Sequence, residues 1–196
     1  MFGLFMEEMQ PRAEDTILDV GVTPDTSLPD SNFFEKLYPY PQNLTLSSIE
    51  DASNLTKEFP GTQFVRTEGF ALPFRNKSFD IVFCSAVLEH VGERELQEKF
   101  VGELLRVANK VFITTPNRGF PIEVHTFIPF IHWLPQAFHQ KLLRMIGLKF
   151  WAQTQNLNLL SVKSLLCLFP HTQKLVLKKN RLLGIASNLI IYGESG

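Results

Sequence analysis

The feature that most limits the fold of this chain is the nearly unbroken apolar run FDIVFC at residues 79–84. A strand with one face in water alternates apolar and polar residues, whereas a continuous apolar run is typical of a strand that is covered on both faces. Coverage on both faces requires helices above and below the sheet. The run therefore predicts the central strand of an α/β protein.

The rest of the chain alternates short β-rich segments with helical ones, which is the pattern of parallel strands joined by crossover helices. Residues 93–108 carry apolar side chains three and four positions apart, so they are predicted to form a helix with one apolar stripe. That stripe comprises Leu96, Phe100, Leu104 and Val107. The predicted strands are residues 16–20, 44–48, 62–65, 79–84, 111–115, 174–179 and 186–192, and the other predicted helices are residues 32–38, 52–59 and 161–168.

The last two predicted strands are joined by a short turn, so they form a hairpin that reverses one strand of an otherwise parallel sheet. We expect the parallel strands in the order three-two-one-four-five. The chain of 196 residues is long enough for one domain with a core and too short for two, so residues 1–196 are predicted to be a single domain. About fifteen residues precede the first strand, which predicts that N-terminal helices covering a bound ligand are nearly absent.

Composition and charge exclude several classes of protein. The net charge of -1 provides no broad basic surface for nucleic acid. Cys84 and Cys167 lie far apart, which gives no disulfide framework and no zinc-ligand spacing, and Cys84 is predicted to be a buried free thiol. The N-terminal sequence MFGLFMEEMQPRAED is acidic where a secretory signal is basic. No segment approaches the roughly 20 apolar residues of a membrane-spanning helix, so a cytoplasmic protein is expected.

Candidate ligand-binding residues follow the predicted strands, because ligands of open α/β sheets lie beyond the carboxyl ends of the strands, where the strand order reverses. After strand one, Gly21 allows close approach of the backbone and Asp19 can accept hydrogen bonds from an amine. After strand two, Glu50 and Asp51 can accept from both hydroxyls of a ribose, with capping of the next helix as the equal alternative for Asp51. After strand three, Glu68 can accept from the exocyclic amine of adenine.

The run EGFALPFRNKSFDIVFCSAVLEHV at residues 68–91 resembles the central signature of class I S-adenosylmethionine-dependent methyltransferases, and most closely that of the type 11 branch. The resemblance covers residues 14–118 well and extends loosely to the C-terminal hairpin. It implies a Rossmann-like three-layer α/β sandwich, whose seven-stranded sheet has six parallel strands and a reversed last strand.

The same resemblance implies that S-adenosylmethionine is the cofactor. Its methionine part is assigned to Asp19 and Gly21, its adenine to Glu68, Gly69 and Phe70, and the wall beside the adenine to Ser85. The sequence departs from the family in two places: its first loop has one glycine instead of several, and Ser48 stands where an acidic residue is usual. The alternative is therefore a non-catalytic relative that acts as a binding or regulatory partner. A dinucleotide-dependent reductase is disfavoured, because the Gly-x-Gly-x-x-Gly turn is missing.

Methyl transfer from a sulfonium requires alignment of donor and acceptor away from bulk water, and a general base only when the acceptor is a weakly acidic hydroxyl. Glu123 and His125 follow strand five and are the predicted catalytic residues, with a loop histidine satisfied by local hydrogen bonds as the alternative. His90 is predicted to be structural. The expected acceptor is a small molecule or a glycan- or lipid-linked group, methylated at oxygen.

Residues 118–160 are rich in aromatic residues and are predicted to form an acceptor-side lid, of which residues 118–150 form a largely helical flap over the carboxyl edge of the sheet. We expect the apolar face of residues 127–150 to pack internally, with contact to a membrane surface as the alternative. His125, His132 and His139 recur every seven residues. Because prolines interrupt any single helix through them, no metal site is predicted.

Overall fold

The computed structural model describes residues 1–28, 31–68, 71–170 and 174–196, and within these ranges it contains one seven-stranded sheet. The strands are β1 (Ile17–Val20), β2 (Leu44–Ser48), β3 (Gln63–Arg66), β4 (Phe79–Ser85), β5 (Ala108–Pro116), β6 (Leu175–Leu182) and β7 (Ile185–Glu194). The helices are α1 (Phe2–Met9), α2 (Phe33–Leu37), α3 (Leu55–Glu58), α4 (Arg94–Val107), α5 (Gln136–Met145) and α6 (Val162–Leu166). Short 3-10 turns lie at Pro41–Asn43, Leu88–His90 and Ile131–Trp133.

The strands are arranged in the order β3-β2-β1-β4-β5-β7-β6. Neighbouring strands from β3 to β5 pair in parallel, and β7 runs antiparallel to both β5 and β6. This confirms the predicted Rossmann-like α/β sheet, its order and its reversed last strand. The order reverses between β1 and β4, so the carboxyl ends of these two strands mark the expected ligand position.

Strand β4 is covered on both faces, as its apolar run predicts. Successive side chains of a strand point to opposite faces, so Ile81 and Phe83 enter one core while Val82 and Cys84 enter the other. All four side chains are buried, and the Cys84 thiol is free.

The first core contains a cluster of aromatic rings that joins α1 and α2 to the sheet. Phe34 of α2 stacks on Phe83 with ring centroids 4.1 Å apart. Phe5 of α1 contacts Phe34, Phe83 and Phe112 edge-on at centroid distances of 4.9 to 5.5 Å. Helix α1, which is not among the predicted helices, buries Phe5 and Met9 against this face.

The second core lies under α4 and α6. The predicted apolar stripe of α4 faces the sheet, with Phe100, Leu104 and Val107 buried. Helix α6 begins with a capping box in which Ser161 and Ser164 each accept a hydrogen bond from the other's backbone N–H.

The segment after β5 is less helical than predicted. Within residues 118–150 the helical parts are α5 and the single 3-10 turn at Ile131–Trp133. Prolines at 121, 129 and 135 prevent a longer helix, and Pro135 directly precedes α5. None of the helices in the ranges described above is long and apolar enough to cross a membrane.

Candidate active site

A cavity of about 320 Å³ opens at the carboxyl ends of β1, β2 and β4, where the strand order reverses. This is the position at which open α/β sheets bind their ligands. Its walls include Gly21, Ser48, Glu50, Thr67, Val87 and His90. Of the residues predicted from sequence, Gly21 and Glu50 therefore line one cavity.

Gly21 holds the loop after β1 tightly against the loop after β4. Its backbone has φ +97°, which L side chains rarely adopt, and a Cβ at this position would collide with the Val87 side chain. The Gly21 N–H donates a 2.7 Å hydrogen bond to the carbonyl of Ser47 on β2. The single glycine of this loop is thus required by the packing of the protein itself.

A second cavity, of about 220 Å³, lies beside the same loop and contains two buried carboxyl groups. The alternation along β1 turns Asp19 away from the core of Leu18 and Val20 and toward α2, which contributes Glu35. Burial raises the pKa of Asp19 well above its usual value, and the nearby Glu35 raises it further. Burial also raises the pKa of Glu35 to about 7.

The Asp19–Glu35 pair has the chemistry of a site for a cationic group. Glu35 Oε1 is buried and has no hydrogen-bond partner among the described residues. An unpartnered buried carboxylate is costly, whereas an ammonium group would provide both charge and donors. Asp19 is recognisable from its place at the end of a strand, whereas Glu35 is not, because the segment NFFEKL carries no pattern that marks a buried carboxylate.

The remaining predicted cofactor residues take different positions. Ser85 also lines the second cavity, and its Oγ lies 2.9 Å from Thr114 Oγ1. Glu68 lies in an adjoining depression with Ile49 and Thr67, two residues that also line the first cavity. Gly69 and Phe70 lie outside the described residues.

Asp51 is not among the residues that line the first cavity. Its carboxylate accepts a 3.1 Å hydrogen bond from the Ser53 N–H, in the turn that leads into α3. This turn is not the helix cap predicted as the alternative for Asp51, because α3 follows Asn54 and has no side-chain cap. Glu50, next to Asp51, is part of the cavity wall.

The two predicted catalytic residues form a tight pair. The buried Glu123 carboxylate accepts hydrogen bonds from the N–H groups of His125 and Thr126 at 2.9 and 2.7 Å, and it lies 2.6 Å from His125 Nδ1. Burial opposes ionisation of this carboxyl, but the hydrogen bonds from His125 and Thr126 outweigh it and lower the pKa of Glu123 to about 2. The carboxylate therefore fixes a proton on His125 Nδ1 and leaves Nε2 as the acceptor.

His125 reaches the end of β4 through His90. The two Nε2 atoms lie 3.2 Å apart, and the Trp151 ring lies 5.0 Å from the His125 ring between centroids. His90 Nδ1 lies 2.7 Å from the carbonyl oxygen of Asn156. Because His90 also lines the first cavity, this histidine pair lies beside it.

A third titratable group adjoins the histidines. Glu89 is fully buried; its Oε2 accepts a 2.9 Å hydrogen bond from Thr115 Oγ1, while Oε1 lies 4.0 Å from His90 Nε2. Burial raises the pKa of Glu89. Glu89 is not recognisable as a site residue from the sequence, because its neighbours Val87, Leu88 and Val91 are apolar.

Comparison with known proteins agrees with the fold. Residues 40–111 match the model of a family described as "Methyltransferase domain". The chain is 30% identical over 89 residues to a ubiquinone biosynthesis O-methyltransferase of Coxiella burnetii, an alignment that covers 43% of this chain. It covers 38% of that relative, so the chain spans about two fifths of the length of the curated relatives it matches.

Solved structures share the fold along most of the chain. The YcgJ protein of Bacillus subtilis superposes with a TM-score of 0.61 at 19% identity, covering 92% of this chain and 70% of that one. A SAM-dependent methyltransferase of Methanosarcina mazei superposes with a TM-score of 0.60 at 16% identity, covering 95% of both chains. The N-methyltransferase NodS of Bradyrhizobium japonicum, solved with S-adenosyl-L-homocysteine, superposes with a TM-score of 0.58 at 12% identity. The superposition covers 97% of this chain and 82% of NodS.

The matched segment contains β2 to β4, and the strand order around it reproduces the sheet implied by the sequence signature. The cavity lies at the switch point of that sheet. Residues 40–111 are thus similar to a methyltransferase domain, and the chain as a whole has the Rossmann-like fold of the solved structures above.

Proposed function

We propose that this chain binds S-adenosylmethionine and transfers its methyl group to a hydroxyl oxygen. The observation that carries the proposal is the pair of adjoining cavities at the switch point, one of which is lined by two buried carboxyl groups, those of Asp19 and Glu35. The family match supports the same chemistry.

The cofactor fits the residues that line these cavities. The Asp19–Glu35 pair supplies acceptors for the ammonium group of the methionine part. Glu50 supplies a carboxylate for the ribose hydroxyls, in the place of the acidic residue that Ser48 replaces. Glu68 is assigned to the exocyclic amine of adenine, and the family resemblance adds Gly69, Phe70 and Ser85 to the same binding surface.

The proposed catalytic base is His125, oriented by Glu123. As the lone pair of the acceptor oxygen attacks the methyl carbon, the carbon–sulfur bond breaks and its electron pair returns to sulfur, which gives the neutral thioether. The hydroxyl proton passes to His125 Nε2, and the Glu123 carboxylate stabilises the resulting imidazolium. Glu123 is buried and His125 is half-buried, which limits water around this pair.

The acceptor is proposed to be an apolar small molecule or a lipid-linked phenol. The segment from 127 to 150 exposes large apolar side chains, among them Phe127, Phe130, Trp133, Phe138 and Met145. Such a surface fits an apolar acceptor, or contact with the membrane in which a lipid-linked acceptor resides. The name of the Coxiella burnetii relative, an O-methyltransferase of ubiquinone biosynthesis, supports oxygen as the acceptor atom.

Calorimetric titration of S-adenosylmethionine and S-adenosylhomocysteine into the chain tests the proposal. We expect one equivalent of either ligand to bind, and Glu50→Gln to weaken binding by about 1–3 kcal/mol, the value of a hydrogen bond to a charged group. Asp51→Asn is the matched control, because Asp51 is bonded to Ser53 outside the cavity. Absence of binding would overturn the proposal. Binding without methyl transfer to any phenolic acceptor would favour the non-catalytic alternative.

A further inference from the structure

We propose that Glu89, His90 and His125 form a binding site for a divalent transition-metal ion of the zinc type. One ligand atom from each side chain lies within 4.8 Å of the other two. The three residues come from the 3-10 turn after β4 and from the loop after β5, and they meet where His90 lines the first cavity.

The hydrogen bonds of the two imidazoles leave two lone pairs facing each other. A backbone carbonyl only accepts, so the proton of His90 must be on Nδ1, which is bonded to the Asn156 carbonyl. Both oxygens of Glu123 already accept backbone N–H groups, so Nδ1 of His125 is the donor in its contact with Glu123. Both Nε2 atoms are then unprotonated and lie 3.2 Å apart, which is unfavourable unless a cation lies between them.

The spacing fits a shared metal ion. Zinc–nitrogen bonds of 2.0–2.1 Å in a tetrahedral arrangement place two ligand nitrogens about 3.3 Å apart, close to the observed 3.2 Å. Each imidazole also has the outer partner that metal-binding histidines usually have, a carbonyl for His90 and a carboxylate for His125.

Glu89 provides the third ligand. Its Oε1 is fully buried, has no hydrogen-bond partner among the described residues, and lies 4.0 Å from His90 Nε2. This separation exceeds the tetrahedral ligand spacing by about 0.7 Å, so the carboxylate would move toward the imidazoles when the ion binds. Two imidazoles and one carboxylate suit zinc, iron, cobalt or manganese better than magnesium or calcium, which prefer oxygen ligands.

Three protein ligands leave a coordination position for an exogenous oxygen. If the chain is the proposed methyltransferase, its metal-bound form would not use His125 as the base, because Nε2 would be a ligand. The open position would then receive the acceptor hydroxyl, and the ion would promote loss of its proton to solvent. Oxygen attack on the methyl carbon and return of the carbon–sulfur electron pair to sulfur then proceed as above. This role rests on the proposed function, whereas binding of the ion does not.

The test is titration of Zn²⁺ and Co²⁺ into the chelator-treated chain without S-adenosylmethionine, followed by calorimetry and by the visible absorption of Co²⁺. We expect one equivalent to bind, with a Co²⁺ spectrum typical of low coordination number. His125→Ala and Glu89→Gln should each weaken binding at least tenfold, while His139→Asn, outside the cluster, should not. Thermal unfolding of the metal-free variants checks that each is folded.

The proposal would be overturned if neither ion bound, or if His125→Ala and Glu89→Gln both left the metal affinity unchanged. A proton shared by the two imidazoles would then explain their contact. S-adenosylmethionine affinity of the metal-free chain is measured separately. Failure of the metal site and failure of the proposed function are therefore distinguished.

Discussion

The backbone of Gly21 packs so closely on the side chain of Val87 that no Cβ fits between them. This contact joins the loop after β1 to the loop after β4, across the strand pair at which the sheet order reverses. The geometry of both cavities therefore depends on one glycine.

We expect Gly21→Ala to lower the free energy of unfolding by about 2–4 kcal/mol, since it combines a left-handed backbone cost of about 1–2 kcal/mol with overpacking. Urea denaturation measures the change. Gly102→Ala is the control, because a Cβ at Gly102 on α4 meets nothing within 4 Å, and there alanine should be neutral or stabilising. Adding Val87→Ala to Gly21→Ala should restore only the packing part of the loss. An unaltered stability of Gly21→Ala would contradict the assigned contact.

Glu35 should make stability depend on pH. Burial raises its folded pKa from 4.5 to about 7, so its neutral form is favoured in the folded protein. Its contribution to stability is complete below pH 4.5 and is lost as the pH rises through about 7. Glu35→Gln should therefore leave the free energy of unfolding nearly unchanged at pH 4.5 and raise it at pH 8. Urea titrations at the two pH values measure the change in unfolding free energy, and Glu95→Gln at an exposed position on α4 is the control. An equal effect of Glu35→Gln at pH 4.5 and pH 8 would contradict the prediction.

The same pair should govern cofactor affinity. If Asp19 and Glu35 hold the ammonium group, Glu35→Gln should weaken S-adenosylmethionine binding about tenfold or more at pH 8 by loss of a charge-assisted hydrogen bond. In the unchanged protein the affinity should increase from pH 6 to pH 8, as Glu35 ionises through its pKa of about 7. Calorimetry at the two pH values measures both effects. An affinity that is independent of pH and of Glu35 would remove this carboxyl from the site.

His125→Ala should reduce turnover by about a hundredfold or more, the usual contribution of general acid–base catalysis, with little change in S-adenosylmethionine affinity. Glu123→Gln should also reduce turnover, because it weakens the group that fixes the proton on His125 Nδ1. Single-turnover transfer of a labelled methyl group to a phenolic acceptor measures the rate. Undiminished turnover in His125→Ala would end its assignment as a catalytic residue.

Phe5→Ala should cost about 3–5 kcal/mol of unfolding free energy, the range for truncating a buried phenylalanine. Phe5 is fully buried among three aromatic rings. Phe127→Ala is the matched control, because 78% of Phe127 is exposed and its truncation should change stability by less than about 0.5 kcal/mol. Similar losses for the two variants would show that α1 is not part of the cooperative core.

The sequence by itself determined the sheet and the helices whose apolar residues recur at helical spacing. The run at residues 79–84 required cover on both faces, and the stripe of α4 required one buried side, because apolar patterning is a local property of the chain. Helix α1 was missed for a physical reason: its eight residues have no side-chain cap, and an isolated helix of this length is marginal in water. It is stabilised by the contacts of Phe5 and Met9 with the sheet.

Only the tertiary structure decided which polar residues meet. Asp19 could be identified at a strand end, but its partner Glu35 is defined by how α2 packs on β1. His125 could be predicted near the carboxyl edge, whereas its 3.2 Å contact with His90, 35 residues away in sequence, depends on two loops without periodic patterning. Side chains brought together by loops leave no spacing in the sequence, because the distance between them is set by the packing of the elements that the loops connect.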